Sequence, residues 1–194
     1  MLTEPPNIHL ALVHFPVRNK IGEIVTSSVT TLDVHDVSRI CRTYGVGTFY
    51  VVTPLATQQA LVTRLMDHWR TGYGAEYNPT RKEALQGTQV KNVLPEVIAD
   101  LTERYGEAPK TIIPDAKPFP QSRSYAAVRE AIKSSGHYLL VFGTAWGLEK
   151  GMVERADMVL APIEGPSDYN HLPVRAAIAI VLDRLLGQTA SGGK

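Results

Sequence analysis

The sequence has only one cysteine, Cys41, among 194 residues, so no disulfide bond can form within the chain. The six histidines show no His-x-x-x-His spacing and Cys-x-x-Cys is absent, so we expect no metal site. No apolar run approaches the roughly 20 residues that cross a membrane. The first residues also lack the basic region and apolar core of a signal peptide. These absences predict a cytoplasmic protein that binds no membrane.

The chain also has little excess charge, with 20 Lys and Arg against 19 Asp and Glu and a formal net charge of +1. Nucleic-acid-binding proteins often carry a basic excess, so any such surface here must be local. Neither the Gly-Lys-Ser/Thr of a P-loop nor a G-x-G-x-x-G fingerprint occurs. One alternative function is an α/β enzyme that uses a nucleotide for phosphate transfer or redox chemistry. The absence of both motifs disfavours this alternative.

The chain does contain short apolar runs that alternate with helical patterns. The runs predict strands at 8–13, 49–53, 111–113, 138–142 and 158–163, and the patterns predict helices at 33–44, 56–69, 94–105, 125–134 and 172–186. Continuous apolar strands are typical of a sheet covered on both faces. The alternation therefore predicts an α/β fold, with a mainly parallel sheet and helices on both faces. We expect one domain, residues 8–187, with flexible tails at 1–7 and 188–194.

The least patterned stretch is 70–89, which carries Arg70, Arg81 and Lys82. A solvated connection is the favoured interpretation, and a mobile lid is the alternative. The long link 14–32 has a clearer position, because ligands of parallel sheets gather beyond the carboxyl ends of the strands. It holds Arg18, Lys20 and five hydroxyl residues, which suit contacts with phosphate. The link is therefore a candidate RNA contact, although Ser/Thr-rich loops are common.

The helix that follows should begin with Asp33 as its cap. Its polar face places Asp36 three residues before Arg39, with Arg42 near the next turn. Spacing alone predicts a solvated ion pair between Asp36 and Arg39. The first motif of SpoU-like SPOUT methyltransferases contains an Asn, an Arg and a Phe-Gly-Val. This helix resembles that motif at the same spacing, with Asp33, Arg39 and the Tyr-Gly-Val at 44–46.

Two later segments resemble the other SPOUT motifs. The strand at 138–142 runs into Gly143, and glycine lets the backbone approach a ligand closely. Gly143, Gly147 and Leu148 match the Gly-x-Glu-x-Gly-Leu of the second motif. Pro162, Ile163 and Asn170, before an Ala-rich helix, match the third. The strings FGTAWGL and YNHLPVRAAIAIVLDRL are similar to a small bacterial group of predicted SPOUT RNA methyltransferases, over roughly residues 8–187.

This resemblance implies a C-terminal deep trefoil knot and S-adenosylmethionine as cofactor. The cofactor would be held by three loops, at 114–116, 142–147 and 160–172. The expected cofactor-binding residues are Pro114, Ala116, Phe142, Gly143, Thr144, Gly147, Leu160, Pro162, Ile163, Asn170 and Leu172. The family is typically dimeric. The final helix independently predicts a homodimer through this helix, because it is apolar nearly all round and needs cover on both sides.

The resemblance also implies methylation of RNA, tRNA or rRNA, in which the acceptor must lose a proton. Arg39 matches the arginine that contacts the acceptor, and Asp168 is the first candidate base, with Asp36 and His171 in reserve. The expected RNA-binding residues are Arg18, Lys20, Arg39 and Arg42. Two positions depart from the SpoU-like pattern, since Ala145 replaces a Glu and Asp33 an Asn. A non-catalytic, knotted RNA-binding protein therefore remains a second alternative.

Overall fold

A computed structural model describes residues 7–167 and 169–188, so the expected tails lie almost wholly outside the described residues. The strands are β1 (Ile8–Val13), β2 (Val17–Arg18), β3 (Ile24–Val25), β4 (Phe49–Val52), β5 (Thr88–Lys91), β6 (Lys110–Pro114), β7 (Ser122–Arg123), β8 (Tyr138–Gly143) and β9 (Met158–Leu160). The helices are α1 (Thr31–Thr43), α2 (Ala56–Arg70), α3 (Tyr73–Tyr77), α4 (Pro79–Gln86), α5 (Leu94–Tyr105), α6 (Tyr125–Ala131), α7 (Lys150–Glu154) and α8 (Val174–Leu186).

Seven strands form one sheet in the order β5-β4-β1-β8-β6-β9-β7, and β2 and β3 form a separate antiparallel hairpin. Every pairing in the large sheet is parallel. The two central strands, β1 and β8, are fully paired from Ile8 with Tyr138 to Val13 with Gly143. Parallel order requires crossover connections, and helices supply them except between β6 and β7, which are joined by the connection 115–121. The predicted α/β class with a mainly parallel sheet is confirmed.

Side chains alternate between the two faces of the sheet, and each face has its own apolar core. Leu10 and Leu12 of β1 belong to the core under α1, α2, α4, α6 and α8. Ala11 and Val13 belong to the second core, with residues of α5 and α7. Helices therefore cover both faces, as predicted. Within the described residues, no helix is long and apolar enough to span a membrane.

The prediction for 70–89 is wrong, because this stretch folds into α3, α4 and the edge strand β5. The guanidinium of Arg70 donates to the carbonyl of Leu85 at 2.6 and 3.0 Å and also to that of Thr88. It thereby joins the end of α2 to the end of α4. Helices this short bury few apolar side chains, and α4 buries only Ala84 and Leu85. The hydrophobic period that predicts longer helices is therefore too weak to detect here.

The amino terminus of α1 also differs from prediction, because its cap is Thr30 rather than Asp33. The hydroxyl of Thr30 accepts from the backbone N–H of Asp33 at 3.1 Å and donates to the Asp33 carboxylate at 2.6 Å. Asp33 thus sits inside the first turn, where its negative charge favours the positive end of the helix. At the other end of the chain, Pro173 caps α8, which begins two residues later than predicted.

Candidate active site

A cleft of about 720 Å³ opens at the carboxyl edge of the sheet, where the connections after β1, β6, β8 and β9 converge. Its volume lies within the roughly 300–1,000 Å³ typical of small-molecule sites. The residues around it are Ser27, Ser28, Asp33, Pro114, Asp115, Ala116, Lys117, Tyr125, Phe142, Gly143, Thr144, Ala145, Trp146, Gly147, Leu148, Ile163, Tyr169, Asn170, His171, Leu172, Pro173, Val174, Ala177 and Val181.

The loop 143–148 after β8 is tightly folded and carries two residues in the left-handed region. These are Ala145, with φ of 53°, and Gly147, with φ of 95°. A Cβ on Gly143 would lie 2.8 Å from the backbone nitrogen of Leu148. Gly143 is therefore needed for the loop to fold back on itself, and a larger residue there must displace the loop. This tight fold brings residues 143–148 together along one wall of the cleft.

The β2–β3 hairpin fixes this loop from the other side. The backbone N–H of Arg18 donates to the Gly147 carbonyl at 2.9 Å, and its side-chain Nε donates to the Leu148 carbonyl at 3.0 Å. The Thr144 hydroxyl donates to the Val13 carbonyl at 3.1 Å and is also hydrogen-bonded to the Ser27 hydroxyl. These contacts hold the link after β1 and the loop after β8 in one arrangement at the cleft.

The histidine at the end of β1 belongs to the same network. His14 is fully buried, and its Nδ1 lies 3.0 Å from the Ser27 hydroxyl. Burial lowers the pKa of His14 from 6.5 to about 4, outweighing the nearby negative charge of Asp33. The imidazole is therefore neutral at physiological pH. It can orient the Ser27 hydroxyl but carries no charge to attract an anion.

The last loop before α8 forms the opposite wall of the cleft. The side-chain amide of Asn170 donates to the Ala116 carbonyl at 2.7 Å, which links this loop to the one after β6. Trp146 and Tyr169 line the cleft with largely exposed rings. The Tyr125 hydroxyl is shielded from solvent and has no hydrogen-bond partner within the described part of the chain. The Arg184 guanidinium stands 4.9 Å from the centre of the same ring, so this hydroxyl lies near a cation as well as near the cleft.

Arg175, in the first turn of α8, connects this wall to α1. Its Nη1 lies 3.1 Å from the Asp33 carboxylate and its Nε lies 3.2 Å from that of Asp36. The predicted pair between Asp36 and Arg39 is therefore wrong, because Asp36 pairs with a residue distant in sequence. Arg42 likewise pairs with Glu83 of α4. Through their contacts with Arg175, Asp33 and Asp36 of α1 position α8 at the cleft.

The comparison with known proteins identifies the family. A model of the family described as SAM-dependent RNA methyltransferase matches residues 7–187. The chain belongs to this family. This confirms the predicted class of enzyme and the predicted cofactor, S-adenosylmethionine, at the level of the family.

Individual relatives agree with this assignment. A protein of Aquifex aeolicus with no assigned function is 37% identical over 94% of this chain and 89% of its own length. A tRNA (guanine-N(1)-)-methyltransferase of Oleidesulfovibrio alaskensis is 40% identical over 93% of this chain, yet the chain spans only 42% of that relative. The A. aeolicus TrmH/SpoU tRNA modifying enzyme has a similar fold, with a TM-score of 0.55 and 15% identity over 93% of this chain and 74% of its own.

The residues around the cleft fit the cofactor of this family. S-adenosylmethionine combines an adenosine with a charged amino-acid group, and the cleft offers apolar walls for the first and polar groups for the second. Phe142, Ile163 and Val181 are apolar, whereas the Tyr125 hydroxyl is a polar group still without a partner. The backbone of the glycine-containing loop at 143–148 adds further donors and acceptors at the same wall.

Most of the expected cofactor-binding residues line this cleft, and whether they bind the cofactor stays a prediction. Those around the cleft are Pro114, Ala116, Phe142, Gly143, Thr144, Gly147, Ile163, Asn170 and Leu172. Leu160 is fully buried in β9 and Pro162 is half-buried, and neither is among the described residues that line the cleft. The resemblance places Leu160 in the loop 160–172 and Pro162 in the third motif, whereas Leu160 is the last residue of β9.

The expected catalytic and RNA-binding residues are more scattered. Arg39 is exposed on the outer face of α1 and is not among the described residues around the chain's own cleft. Arg18 is occupied with the 143–148 loop, and Lys20 is exposed in the turn between β2 and β3. Asp168 lies outside the described residues. Of the two reserve bases, His171 lines the cleft and Asp36 is paired with Arg175.

Sequence reasoning missed three residues at or beside the cleft, namely Tyr125, Arg175 and Lys117, the last of which follows the expected loop at 114–116. Arg175 is the only polar residue of α8 before Asp183, and that contrast is a usable signal. Tyr125 opens a predicted helix with no feature that distinguishes it from a core residue. Asp115 accepts from the Lys117 backbone at 2.9 Å, an ordinary turn contact that carries no functional pattern.

Proposed function

We propose that this protein transfers a methyl group from S-adenosylmethionine to a nucleotide of RNA, with tRNA as the substrate class. The observation that carries the proposal is the convergence of the loops after β6, β8 and β9 on one cleft in a chain of this family. The tRNA substrate is taken from the printed name of the Oleidesulfovibrio relative. Because the chain spans only 42% of that relative, the guanine-N1 specificity of the name is not carried over.

The chain's own contribution is mainly to position the reactants. The cofactor supplies an electrophilic methyl group on a sulfonium centre, so no protein nucleophile is needed. The backbone of 143–147 and the side chains of Tyr125 and Asn170 bind and orient it. Trp146 and Tyr169, whose exposed rings stand at the mouth of the cleft, exclude water and offer surfaces against which a base can stack. Such alignment of two reactants can account for much of the rate.

The acceptor must lose a proton, and Asp168 is proposed as the group that accepts it. An Asp168→Asn variant keeps the size of the side chain but removes its basicity. We expect at least a hundredfold lower turnover with unchanged affinity for S-adenosylmethionine, measured by single-turnover methylation and by calorimetry. His171→Gln is the matched comparison in the same loop. If His171→Gln loses turnover and Asp168→Asn does not, the base is His171.

We further propose a homodimer through α8. The core face of this helix is formed by Ile178, Val181, Leu182 and Leu185. The opposite face carries Ala176, Ala179 and Ile180, which are only half-buried in the single chain. This face is small and apolar as far as Ile180 and ends at the exposed Asp183, and its apolar part suits close packing against a second copy. Sedimentation velocity of Ile180→Arg should show a monomer, whereas Thr63→Arg, on the exposed face of α2, should remain dimeric.

A dimer of this kind explains the position of Arg39. The residue is exposed on α1, which packs beside α8, and it does not line its own cleft. We propose that Arg39 contacts the RNA in the cleft of the partner. Arg39→Ala should then abolish transfer and leave cofactor affinity nearly unchanged. Mixed dimers of Arg39→Ala with Gly143→Val should regain activity, because one of their two clefts has every wild-type group.

The C-terminal trefoil knot is also a proposal. It is supported by the position of β9 between β6 and β7, two strands joined by the short connection 115–121. In the proposed knot, the chain that forms β9 would pass through the loop that this connection closes. Stretching single molecules between residues 8 and 187 tests it, because a knot shortens the final extended length. Full extension would show an unthreaded chain.

The experiment that tests the function uses the purified protein, labelled S-adenosylmethionine and separate tRNA and rRNA fractions from a strain that lacks the protein. Label in one nucleoside of tRNA, identified by mass spectrometry, is the expected result. It would also distinguish ribose from base acceptors. Tight cofactor binding without label in any RNA would support the non-catalytic alternative, which Ala145 at the position of the usual Glu makes worth testing.

A further inference from the structure

The segment 73–86, outside the cleft, carries an unusual pair of exposed aromatic residues. Tyr73 and Tyr77 lie one turn apart on α3, and each is 74% exposed. Their rings are nearly parallel, with an interplanar angle of 21° and centroids 6.1 Å apart. Within the described part of the chain, neither ring is covered. Two parallel aromatic faces held open to solvent are a surface that suits flat ligands such as unpaired bases.

The pair has a rigid support. A Cβ on Gly74 would lie 2.7 Å from Cε3 of Trp69 and 2.9 Å from Nε2 of His68, so α3 packs directly on the end of α2. Arg70 holds the other side by donating to the carbonyls at the end of α4. Because the supporting helices are fixed, little backbone freedom would be lost when a ligand stacks on the tyrosines.

Positive charge reaches α3 through Trp69, the residue on which Gly74 packs. The guanidinium of Arg81 stands 4.6 Å from the centre of the Trp69 ring, and its buried Nε has no hydrogen-bond partner in the described structure. The edge of His35 meets the same ring. The pKa of His35 is lowered by burial first and then by Arg81, with Arg39 contributing in the same direction. Arg81 and Arg39 are therefore both close to one imidazole, between α1 and α4.

We propose that Tyr73, Tyr77 and Arg81 form a docking platform for unpaired nucleotides of the RNA substrate. Bases would stack on the two tyrosines, and phosphates would meet Arg81 on the way to Arg39. The platform rests on the proposed RNA methyl transfer and adds a second contact to it, away from the cleft. Charge complementarity favours RNA over a protein partner, because the chain has a net charge of only +1 and yet brings Arg81 and Arg39 together around His35 and Trp69, on which α3 packs.

One acidic residue on α3 allows a further test of the proposal. Glu76 is exposed on α3 between the two tyrosines and pairs with no cation in the described structure. Its negative charge opposes a nearby phosphate. Glu76→Gln should therefore tighten RNA binding severalfold at low salt, whereas Arg81→Gln should weaken binding and reduce its salt dependence by about one phosphate contact. A partner that docks through apolar contacts alone would respond to neither change.

The test measures binding of a fluorescent single-stranded oligoadenylate and of an RNA duplex of equal charge, by anisotropy. For Tyr73→Leu with Tyr77→Leu we expect about tenfold weaker binding of the single strand and little change for the duplex. The matched Phe pair keeps the aromatic faces and should bind as the wild type does. In methylation of the tRNA fraction, the Leu pair should raise KM and leave kcat unchanged.

Three outcomes overturn the platform. Equal single-strand binding by the Leu and wild-type proteins is one, and equal weakening by the Phe pair is the second. A change in sedimentation of the Leu pair without a change in RNA binding is the third, because it assigns the surface to a second copy of the chain. In each case the wild type would still methylate RNA. Absence of methylation and of RNA binding in the wild type would instead overturn the proposed function itself.

Discussion

The ion pair between Arg175 and Asp33 provides the sharpest test of how the cleft is held together. The side chain of Asp33 is only 10% exposed and that of Arg175 is 32% exposed. In Arg175→Met the stem of the side chain is retained, but the charge that faces Asp33 is lost. The carboxylate then remains in the first turn of α1 with only the Thr30 hydroxyl and the helix end to compensate it.

The expected cost follows from the distance and the exposure. Two charges about 4 Å apart interact by about 4 kcal/mol at the effective dielectric of a protein surface. Partial exposure of Arg175 and the remaining Thr30 contact reduce this, so we expect a net loss of about 2 kcal/mol. For a domain of this size that corresponds to a fall in Tm of roughly 6 °C. Urea unfolding and calorimetry measure the two quantities.

A double-mutant cycle tests whether the loss of stability in Arg175→Met comes from the lost ion pair with Asp33. Asp33→Asn removes the buried charge and places in this chain the residue that SpoU-like enzymes usually carry. Combined with Arg175→Met, it should recover at least half of the lost stability, a coupling energy of about 1 kcal/mol or more. The control is Asp36→Asn, because Asp36 is 42% exposed and contacts the same guanidinium. Its coupling with Arg175 should stay below about 0.5 kcal/mol. Additive effects of Arg175→Met and Asp33→Asn would refute the reasoning.

Three further predictions concern other parts of the fold. Arg70→Met should lower the free energy of unfolding by about 2–3 kcal/mol, with Arg70→Lys intermediate, because carbonyls of Leu85 and Thr88 lose a charged donor; equal stability of Met and Lys variants would contradict this. Burial lowers the pKa of both His9 and His14 to about 4, so the unfolded chain binds more protons between pH 4 and 6.5. Stability should therefore fall as the pH is lowered through that window, by up to about 3 kcal/mol per histidine, and His9→Leu should reduce the slope measured by unfolding at a series of pH values. Gly143→Ala should weaken cofactor binding in calorimetry, because its Cβ would meet the Leu148 backbone, whereas Gly165→Ala has open space and should bind normally.

The strands of the sheet centre could be predicted because each is a continuous apolar run between turn residues, as in β1 and β8. The short helices α3 and α4 could not, since a helix of five or eight residues is stabilised by packing and by Arg70 rather than by its own pattern. The pairing of Asp36 with Arg175 could not be predicted either. Their sequence separation is large, so local spacing suggested Arg39, a nearer cation, in its place.

At the site, the position of the cleft followed from where the loops fall after parallel strands, and the structure brings Gly143, Ile163 and Asn170 together as expected. Which atoms each residue uses could not be predicted. Gly143 is a clear example, since its lack of a side chain serves the fold of its own loop rather than only the ligand. A motif shows which residue type is required at a position, but only the packing around that residue shows the physical reason for the requirement.

The order of strands has a consequence for how the protein can be synthesised. β9 lies between β6 and β7, although both of those strands precede it in the chain. While the ribosome is still translating the region before residue 158, β6 can pair with β8, but the strand that lies between β6 and β7 does not yet exist. The β6–β9–β7 edge of the sheet can therefore be completed only after β9 has been made, through contacts between distant parts of the chain, which form slowly. A nascent or truncated chain that stops before Met158 exposes the edge of β6, and such edges are prone to aggregate.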